Sequence, residues 1–208
     1  MGLFISMEGP DGSGKTMQMN MLEQELRQRG LDVLRSREPG GTAISEKIRD
    51  MLLDPANTEM SDRTEALLYA ASRAQHVEQV LKPALRQGKI VLCDRYVDSS
   101  LVYQGIGRGL GIPAIEEINA FATGGLQPDV TIVLQIDFEE GLRRKGIQNG
   151  GLDRMEAQKE DFLRRIHDGF TELKELYPER VFLIDGAKAP SEVFQKIQNV
   201  LKPFLTGL

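Results

Sequence analysis

The sequence predicts an α/β fold in which a five-stranded, mostly parallel sheet is covered by helices on both sides. Short apolar runs alternate with longer amphipathic stretches, as in successive βαβ units. These apolar runs have hydrophobic residues at consecutive positions, which is typical of parallel strands that are buried on both faces. The first run leads directly into the glycine-rich stretch "GPDGSGKT" (9–16), which marks a tight strand-to-helix connection.

Five strands and seven helices are predicted along the chain. The strands are expected at 3–7, 32–37, 89–94, 130–136 and 180–185, and the helices near 14–29, 43–53, 62–87, 113–123, 138–146, 154–176 and 190–205. Gly30 and Gly88, each just after a cation-containing turn, are typical helix C-caps. No repeat, low-complexity tract or linker interrupts the chain, so residues 1–208 are predicted to form one domain. The glycine-rich segment 145–154 predicts a mobile flap, here called the lid (about 143–155).

Composition restricts the possible functions. With 40% hydrophobic and 27% charged residues, the chain has the composition of a soluble globular protein. Its net charge of -5 argues against general nucleic-acid binding, and no apolar run approaches membrane length. The single Cys93 excludes an intrachain disulfide and fits a reducing cytoplasm, while two histidines are too few for a His-rich metal site. "MGLFIS" matches an N-myristoylation pattern, but a first strand beginning near Gly2 is the simpler interpretation.

Residues 9–16 match G-x-x-x-x-G-K-[ST], the pattern of a phosphate-binding loop. The glycines allow successive backbone N–H groups to point toward one anion, and the next helix adds the positive end of its dipole. The pattern therefore predicts a three-layer P-loop NTPase fold and a nucleoside triphosphate site. Lys15 would contact the β- and γ-phosphates and Thr16 would bind Mg²⁺. The predicted ATP-binding set is Gly9, Pro10, Asp11, Gly12, Ser13, Gly14, Lys15 and Thr16.

Two more predicted strands end in charged residues. Asp94 ends the third strand, where a doubly wound sheet faces its ligand crevice, and is placed to hold Mg²⁺ through water. The neighbouring Arg95 could bind a phosphate with two N–H groups, although the two side chains could equally form a structural ion pair. "REPGGT" (37–42) repeats this pattern at the second strand, with a tight Pro–Gly turn as the alternative. In the following helix, Met17 and Met21 are expected in the core and Met19 outside it.

Five stretches together resemble the ordered motifs of the thymidylate kinase family, among the P-loop nucleoside monophosphate kinases. They are "EGPDGSGKT" (8–16), "REPGGT" (37–42), "LLYAASRAQH" (67–76), "DRYVDSSLVYQG" (94–105) and "LDRME" (152–156). The resemblance covers residues from about 3 to 185. It implies transfer of the γ-phosphoryl group of ATP to dTMP, with Mg²⁺, by a cytoplasmic homodimer that has neither nucleic-acid nor membrane partners.

The resemblance also implies an acceptor site. Tyr69 would stack on thymine, where the family usually has Phe, although its amphipathic helix would also accommodate a core tyrosine. Arg73 would donate to a ring carbonyl, Gln104 would complete the hydrogen-bonding edge, and Tyr103 would crowd the sugar at C2′. Asp11 would accept from the 3′-hydroxyl, and Arg49 and Arg95 would hold the acceptor phosphate. The implied dTMP-binding set is Asp11, Glu38, Arg49, Tyr69, Arg73, Arg95, Ser100, Tyr103 and Gln104.

The implied chemistry needs no general base, because the second pKa of a phosphate monoester is about 6. Catalysis then consists of positioning and charge neutralisation. The resemblance implies a basic residue either in the phosphate loop or in the lid, and positions 10–13 carry no cation, so the lid is expected to supply it. Arg154 is the first candidate and Arg144 the second, and Arg143 and Lys145 are the others. The implied catalytic set is Lys15, Arg95, Arg154 and Arg144, and the metal set is Thr16 with Asp94 through water. Adenine would lie between the lid base and "DGAKAP" (185–190).

Two other functions fit parts of the pattern. A deoxynucleoside kinase would use a carboxylate base at the acceptor hydroxyl, a role open to Glu38 or Asp94. A non-catalytic nucleotide-binding regulator would be expected to lack Lys15, Arg95 or the lid cations, all of which are present. The remaining titratable candidates, His76 and His167, are assigned to packing or to the surface.

Overall fold

A computed structural model of the chain describes residues 2–146 and 153–206. Its five strands, β1 to β5, form one parallel sheet in the order β2-β3-β1-β4-β5. They span Phe4–Glu8, Val33–Arg37, Ile90–Asp94, Val130–Gln135 and Val181–Asp185, so each predicted strand is confirmed with its ends shifted by no more than one residue. Because β1 lies at the centre, its carboxyl end opens beside those of β3 and β4.

Nine α-helices, α1 to α9, are present in the described part of the chain. They span Lys15–Gln28, Ala43–Leu53, Asp62–His76, Lys82–Arg86, Val97–Ser100, Ile112–Thr123, Phe138–Gly146, Glu160–Leu176 and Pro190–Leu205. Side-chain caps explain two of the starts, since Thr42 accepts from the N–H of Ser45 and Ser61 from that of Thr64. The predicted helix 62–87 runs through α3, a π-helical segment at Val77–Leu81, and α4.

Helices cover both faces of the sheet, as the α/β fold class predicts. Ile5 and Leu92 face the layer of α1 and α9, while Phe4 and Val91 face the layer that includes α6 and α8. Adjacent residues of one strand therefore enter different cores, which explains why the strands read as continuous apolar runs. No helix in the described ranges is long and apolar enough to cross a membrane.

The assignment of the α1 methionines was wrong. Met19 is 1% exposed and Met17 is 52% exposed, the reverse of the expectation, while Met21 is half-buried. The reason lies in the rotation of the helix about its axis. Lys15 must face the loop that precedes it, and this places Met19, Leu22 and Leu26 on the buried side.

Two segments differ from the predicted pattern. The helix expected from 154 begins only at Glu160, because the Asp153 carboxylate accepts from the N–H groups of Met155 and Glu156, both at 2.8 Å, and holds a turn. No helix was predicted between 95 and 110, yet α5 continues into a π-helical segment at Leu101–Gly107.

The π-helical segment Leu101–Gly107 packs closely against α8. A Cβ at Gly107 would lie 2.9 Å from the Phe162 ring, and one at Gly169 would lie 2.9 Å from Ile106. The wider turn is visible in the bond from the N–H of Arg108 to the carbonyl of Tyr103, at 3.0 Å. This packing places the side chains of Tyr103 and Gln104 near the edge of the sheet where the phosphate loop lies.

Candidate active site

The loop between β1 and α1 requires glycine at two close approaches. Gly9 has φ 131°, and a Cβ there would lie 2.3 Å from the carbonyl oxygen of Leu134. Gly12 has φ 78°, and its Cβ would lie 2.5 Å from the carbonyl oxygen of Gly141 in α7. At Gly14, φ 93°, no side chain caps α1, so its first N–H groups remain available to an anion. The loop thus has the backbone conformation that the glycine pattern predicts, with N–H groups available to an anion.

Two polar side chains of this loop are suited to phosphate. The Lys15 ammonium is 8% exposed and donates to the carbonyls of Gly9, at 2.9 Å, and Pro10, at 3.0 Å. Burial, with a smaller contribution from Arg95, lowers the pKa of Lys15 to about 8. The Ser13 hydroxyl is buried and has no hydrogen-bond partner among the described residues. A bound phosphate would give the Ser13 hydroxyl a hydrogen-bond partner and the Lys15 ammonium an opposite charge.

Arg95 is held over the loop by an unusual backbone. It has φ 67°, the left-handed region that non-glycine residues rarely adopt. Its guanidinium donates to the carbonyl of Gly9 at 3.1 Å, to the Ser99 hydroxyl at 3.2 Å and to the Asp11 carboxylate at 2.7 Å. It also lies 5.3 Å from the centroid of the Tyr103 ring. Strain and four contacts therefore fix the position of one cation beside the phosphate loop.

A cleft lies above the phosphate loop. The Arg144 side chain, half-buried on α7, lines it and donates to the carbonyl of Gly186 at 3.1 Å and to Glu140 at 2.7 Å. The exposed Thr16 hydroxyl and the Asp94 carboxylate also line this cleft. In the described residues no group of three or more His, Cys, Asp or Glu side chains could hold a metal by itself. A cation here would therefore have few protein oxygen donors and would complete its coordination with water and phosphate.

A second cavity of about 210 Å³ opens on the other side of Arg95. Its lining combines aromatic, charged and hydroxyl side chains, as is typical of a small-molecule site. All nine residues predicted for the acceptor site line it, which the separate sequence motifs did not guarantee. They are Asp11, Glu38, Arg49, Tyr69, Arg73, Arg95, Ser100, Tyr103 and Gln104.

Arg73 is held rigidly in the wall of this cavity. Its guanidinium donates to Glu38 at 2.6 Å, to the Ser100 hydroxyl at 3.0 Å, to the carbonyl of Tyr96 at 3.0 Å, and to Asn119. A guanidinium has five N–H groups, so one on Nη2 remains for a ligand. Arg73 is 2% exposed and thus presents a single oriented donor rather than a mobile charge.

Glu38 is occupied on both oxygens. One accepts from Arg73 and the other contacts His76 Nδ1 at 2.9 Å. His76 Nε2 in turn lies 2.6 Å from the Ser36 hydroxyl. His76 is fully buried, as the packing assignment predicted, and it holds the carboxylate that orients Arg73. His167 is half-buried on α8 and contacts the carbonyl of Ile136.

Two tyrosines line the cavity. Tyr69 and Tyr103 are both half-buried and line the cavity, so Tyr69 is not the core residue that its helix would also have allowed. Burial raises the pKa of both phenols, which remain neutral at physiological pH. Arg49 projects from α2 and donates to the carbonyl of Pro39 at 2.9 Å. Among the described residues it has no carboxylate partner, so its charge is available to an anion.

Arg154, the first candidate for the lid cation, bonds to groups on α2 and α3. Its guanidinium donates to the carbonyl of Leu52 at 2.6 Å and pairs with Glu65 at 2.8 Å, and it is 7% exposed. It lines neither the phosphate cleft nor the acceptor cavity. In this structure Arg144 reaches the cleft, whereas Arg154 joins residue 154 to α2 and α3. Side chains of 145–152, including Lys145, lie outside the described residues.

Sequence reasoning missed several groups behind the site. Glu8, at the end of β1, is fully buried and accepts from the N–H of Tyr96 at 2.7 Å and from the Ser99 hydroxyl at 2.5 Å. Burial, reinforced by Asp98, raises the pKa of Glu8 to about 7. Glu8 thus holds the turn that carries Arg95. Its place directly before the phosphate loop was the signal that could have identified it.

The fold and the two adjoining cavities define a P-loop phosphotransferase that acts on a small acceptor. The chain belongs to the thymidylate kinase family, whose model, described as thymidylate kinase, matches residues 7–197. Members of this family use ATP to phosphorylate dTMP to dTDP. The resemblance that the motifs suggested is therefore confirmed.

Relatives of similar length support this assignment. The chain is 48% identical to thymidylate kinase of Lactobacillus delbrueckii subsp. bulgaricus over 98% of its length and 97% of that protein. It is 44% identical to thymidylate kinase of Bacillus licheniformis, with coverage of 98% and 97%. The crystal structure of thymidylate kinase from Ehrlichia chaffeensis superposes with a TM-score of 0.77 at 31% identity, covering 96% of this chain and 98% of that one.

Proposed function

We propose that this chain transfers the γ-phosphoryl group of ATP to the phosphate of dTMP, giving dTDP and ADP, through the residues described above. One observation carries the proposal: Asp11, Arg95 and Glu156 line both the phosphate cleft and the acceptor cavity. Ligands in the two cavities would therefore meet at Arg95. A donor phosphate on the loop and an acceptor phosphate in the second cavity would be side by side, as in-line transfer requires.

The acceptor cavity suits a thymine nucleotide. Tyr69 and Tyr103 offer flat apolar walls for the base and sugar. Arg73 presents one fixed N–H, which matches a ring carbonyl. Ser100 and Asn119 hold that guanidinium in place, so the donor cannot turn away to suit a different base. The base would thus be selected by a preformed edge.

Charge neutralisation supplies the rate in this proposal. The acceptor oxygen is already ionised near neutral pH, so no side chain has to remove a proton. Arg95 and Arg49 would hold the acceptor phosphate, while Lys15 would leave its two loop carbonyls for the donor phosphates. Arg144, at the edge of the cleft, would approach the transferring group, and such an arginine can contribute about 10³- to 10⁵-fold.

Thr16 and Asp94 fit a magnesium ion bound together with ATP. Mg²⁺ is commonly held by one or two protein oxygens and completes its shell with water and substrate phosphates. The pair of oxygen donors in the cleft has that character. When bound, the ion would neutralise charge on the β- and γ-phosphates. Direct ligation by Thr16 and water-mediated contact by Asp94 are the proposed roles.

The deoxynucleoside kinase alternative is disfavoured by the state of its candidate bases. Glu38 already accepts from Arg73 and contacts His76, so its carboxylate is engaged in orienting these two side chains. Asp94 lines the phosphate cleft and not the acceptor cavity. A non-catalytic regulator would be expected to lack Lys15 or Arg95, and the chain has both.

We further propose a cytoplasmic homodimer organised as one domain per chain. Leu67 on α3 is 57% exposed and Phe121 on α6 is 90% exposed, and these two helices pack against each other. Apolar side chains this exposed are typical of surfaces that another chain covers. Cys93 is a buried free cysteine, and a chain with one cysteine has no intrachain disulfide that would require an oxidising compartment.

ADP release with ATP and Mg²⁺ tests the proposed reaction. The acceptors to compare are dTMP, dUMP, dCMP, dGMP, AMP and thymidine, each supplied alone. Strong preference for dTMP with inert thymidine supports the acceptor phosphate and the thymine site. If thymidine is the best acceptor, the roles of Arg49 and Arg95 are wrong. If ATP binds tightly but none of the acceptors turns over, the regulator is the better description.

A further inference from the structure

We propose that Glu65 is a positioning residue that orients the Gln104 amide toward the acceptor base and thereby sets the preference for thymine over cytosine. The inference rests on the proposed function, since it assumes that the acceptor cavity holds a pyrimidine nucleotide. Glu65 lies on α3 behind the cavity wall and is 1% exposed. It does not line the cavity itself, whereas Gln104, also 1% exposed, does.

Four N–H donors converge on the Glu65 carboxylate. One oxygen accepts from Gln104 Nε2 at 3.0 Å and from Arg108 Nε at 3.1 Å. The other accepts from Arg108 Nη2 at 2.8 Å and pairs with Arg154 Nη2 at 2.8 Å. Burial alone would raise the pKa of Glu65, but hydrogen bonds from Arg108, Gln104 and Arg154 hold that pKa below its ordinary value. Glu65 is therefore an ionised acceptor.

An ionised carboxylate fixes the direction of the amide beside it. It has no proton to donate, so it can pair with the NH₂ end of Gln104 and would repel the oxygen end. A flipped amide would place two acceptors together in a buried site, at the cost of an unsatisfied group. The Gln104 oxygen is thus the end that remains for the cavity.

This orientation distinguishes the two pyrimidines. Thymine presents an N3–H donor and an O4 acceptor, whereas cytosine presents an N3 acceptor and an N4 amino donor. The Gln104 oxygen matches the first pattern, as does the remaining N–H of Arg73. With cytosine, the Gln104 oxygen would face the N3 acceptor and the Arg73 N–H would face the N4 amino donor, so neither hydrogen bond could form. Discrimination by buried, oriented groups of this kind is much stronger than discrimination by shape.

The experiment compares kcat/KM for dTMP and dCMP in the wild type and in Glu65→Gln. The wild-type dTMP rate is measured first, and its absence would count against the proposed function and not against Glu65 specifically. A neutral amide at 65 tolerates either end of Gln104, so we expect the dTMP-to-dCMP ratio to fall by about 10- to 100-fold. Most of the change should appear as a higher KM for dTMP and a higher kcat/KM for dCMP.

Asp98→Asn is the matched control. Asp98 is another fully buried carboxylate, bound by Arg180 through two N–H groups at 2.7 and 2.8 Å and by Thr131, and it does not line the acceptor cavity. This variant should lose stability while keeping the wild-type ratio. The Gln104→Met background should abolish the effect of Glu65→Gln on the ratio. An unchanged ratio in Glu65→Gln, or an equal change in Asp98→Asn, overturns the proposal.

A measurement on the unmodified chain covers the case in which Glu65→Gln does not fold. The side-chain NH₂ signals of Gln104, assigned in ¹⁵N spectra by their loss in Gln104→Met, should be protected from hydrogen exchange without any nucleotide. They should shift little when dTMP binds, because they face Glu65. Protection that appears only with dTMP would mean that the NH₂ faces the base, and the proposal would be wrong.

Discussion

The low pKa of Lys15 makes ATP binding dependent on pH in a range where this lysine would normally be inert. With a pKa of about 8, Lys15 is about nine-tenths protonated at pH 7 and about one-tenth protonated at pH 9. Bound phosphates would stabilise the charged form, so binding above pH 8 must first restore the proton. The affinity is fully present below pH 8 and is lost as pH rises. The dissociation constant should increase about tenfold from pH 7 to pH 9, or ~1.4 kcal/mol.

Isothermal titration of ATP without an acceptor measures this effect free of turnover. Repeating the titration in two buffers of different ionisation enthalpy gives the proton uptake directly, expected at about 0.9 per site at pH 9 and about 0.1 at pH 7. Lys15→Arg is the control, because a guanidinium stays charged throughout. Burial keeps the Cys93 thiol neutral in this window by raising its pKa. An unchanged affinity with no proton uptake would refute the reasoning.

Three further outcomes are expected. Arg144→Ala should lower kcat by about 10³-fold in steady-state kinetics. Arg154→Ala should mainly reduce the free energy of unfolding in denaturant melts, by roughly 3 kcal/mol. A large loss of kcat in Arg154→Ala, with a loss of stability in Arg144→Ala, would identify Arg154 as the lid cation. Glu8, with its pKa raised to about 7, should make the folded state lose roughly 3 kcal/mol as pH rises from 4.5 to 7, because the unfolded chain releases that proton first. Urea titrations should show that slope flattened in Glu8→Gln, and equal slopes would count against the assignment. Phe121→Glu should convert a dimer to a monomer in sedimentation, and a dimer that survives with normal affinity would place the interface elsewhere.

The phosphate loop and the strands could be predicted because their causes are local. The conformations of Gly9, Gly12 and Gly14 are ones that side-chain-bearing residues rarely adopt, so the requirement is visible in the sequence itself. The strands are buried on both faces, so hydrophobic residues occur at consecutive positions, and this pattern is visible in the sequence. The resemblance, rather than any local rule, predicted the nine residues that the structure brings to one cavity.

Long-range packing decided the elements that were missed. The segment 97–107 contains two glycines and serines that give weak helix signals, and it is helical because it packs tightly on α8. Met17 and Met19 have the same chemistry, and only the constraint that Lys15 faces the loop chooses which of them is buried. Neither choice depends on neighbours in sequence alone.

By itself the sequence determined the fold class, the phosphate loop and the family of this chain. It could not determine which partner each charged side chain takes, because that depends on distant elements that meet only in the fold. Arg154 stands in a recognisable motif, yet Leu52 and Glu65 occupy its guanidinium. Arg144, with no motif of its own, reaches the cleft because α7 packs beside the phosphate loop. Electrostatic roles are set by the distance between charges and by their burial, and only the tertiary structure fixes both.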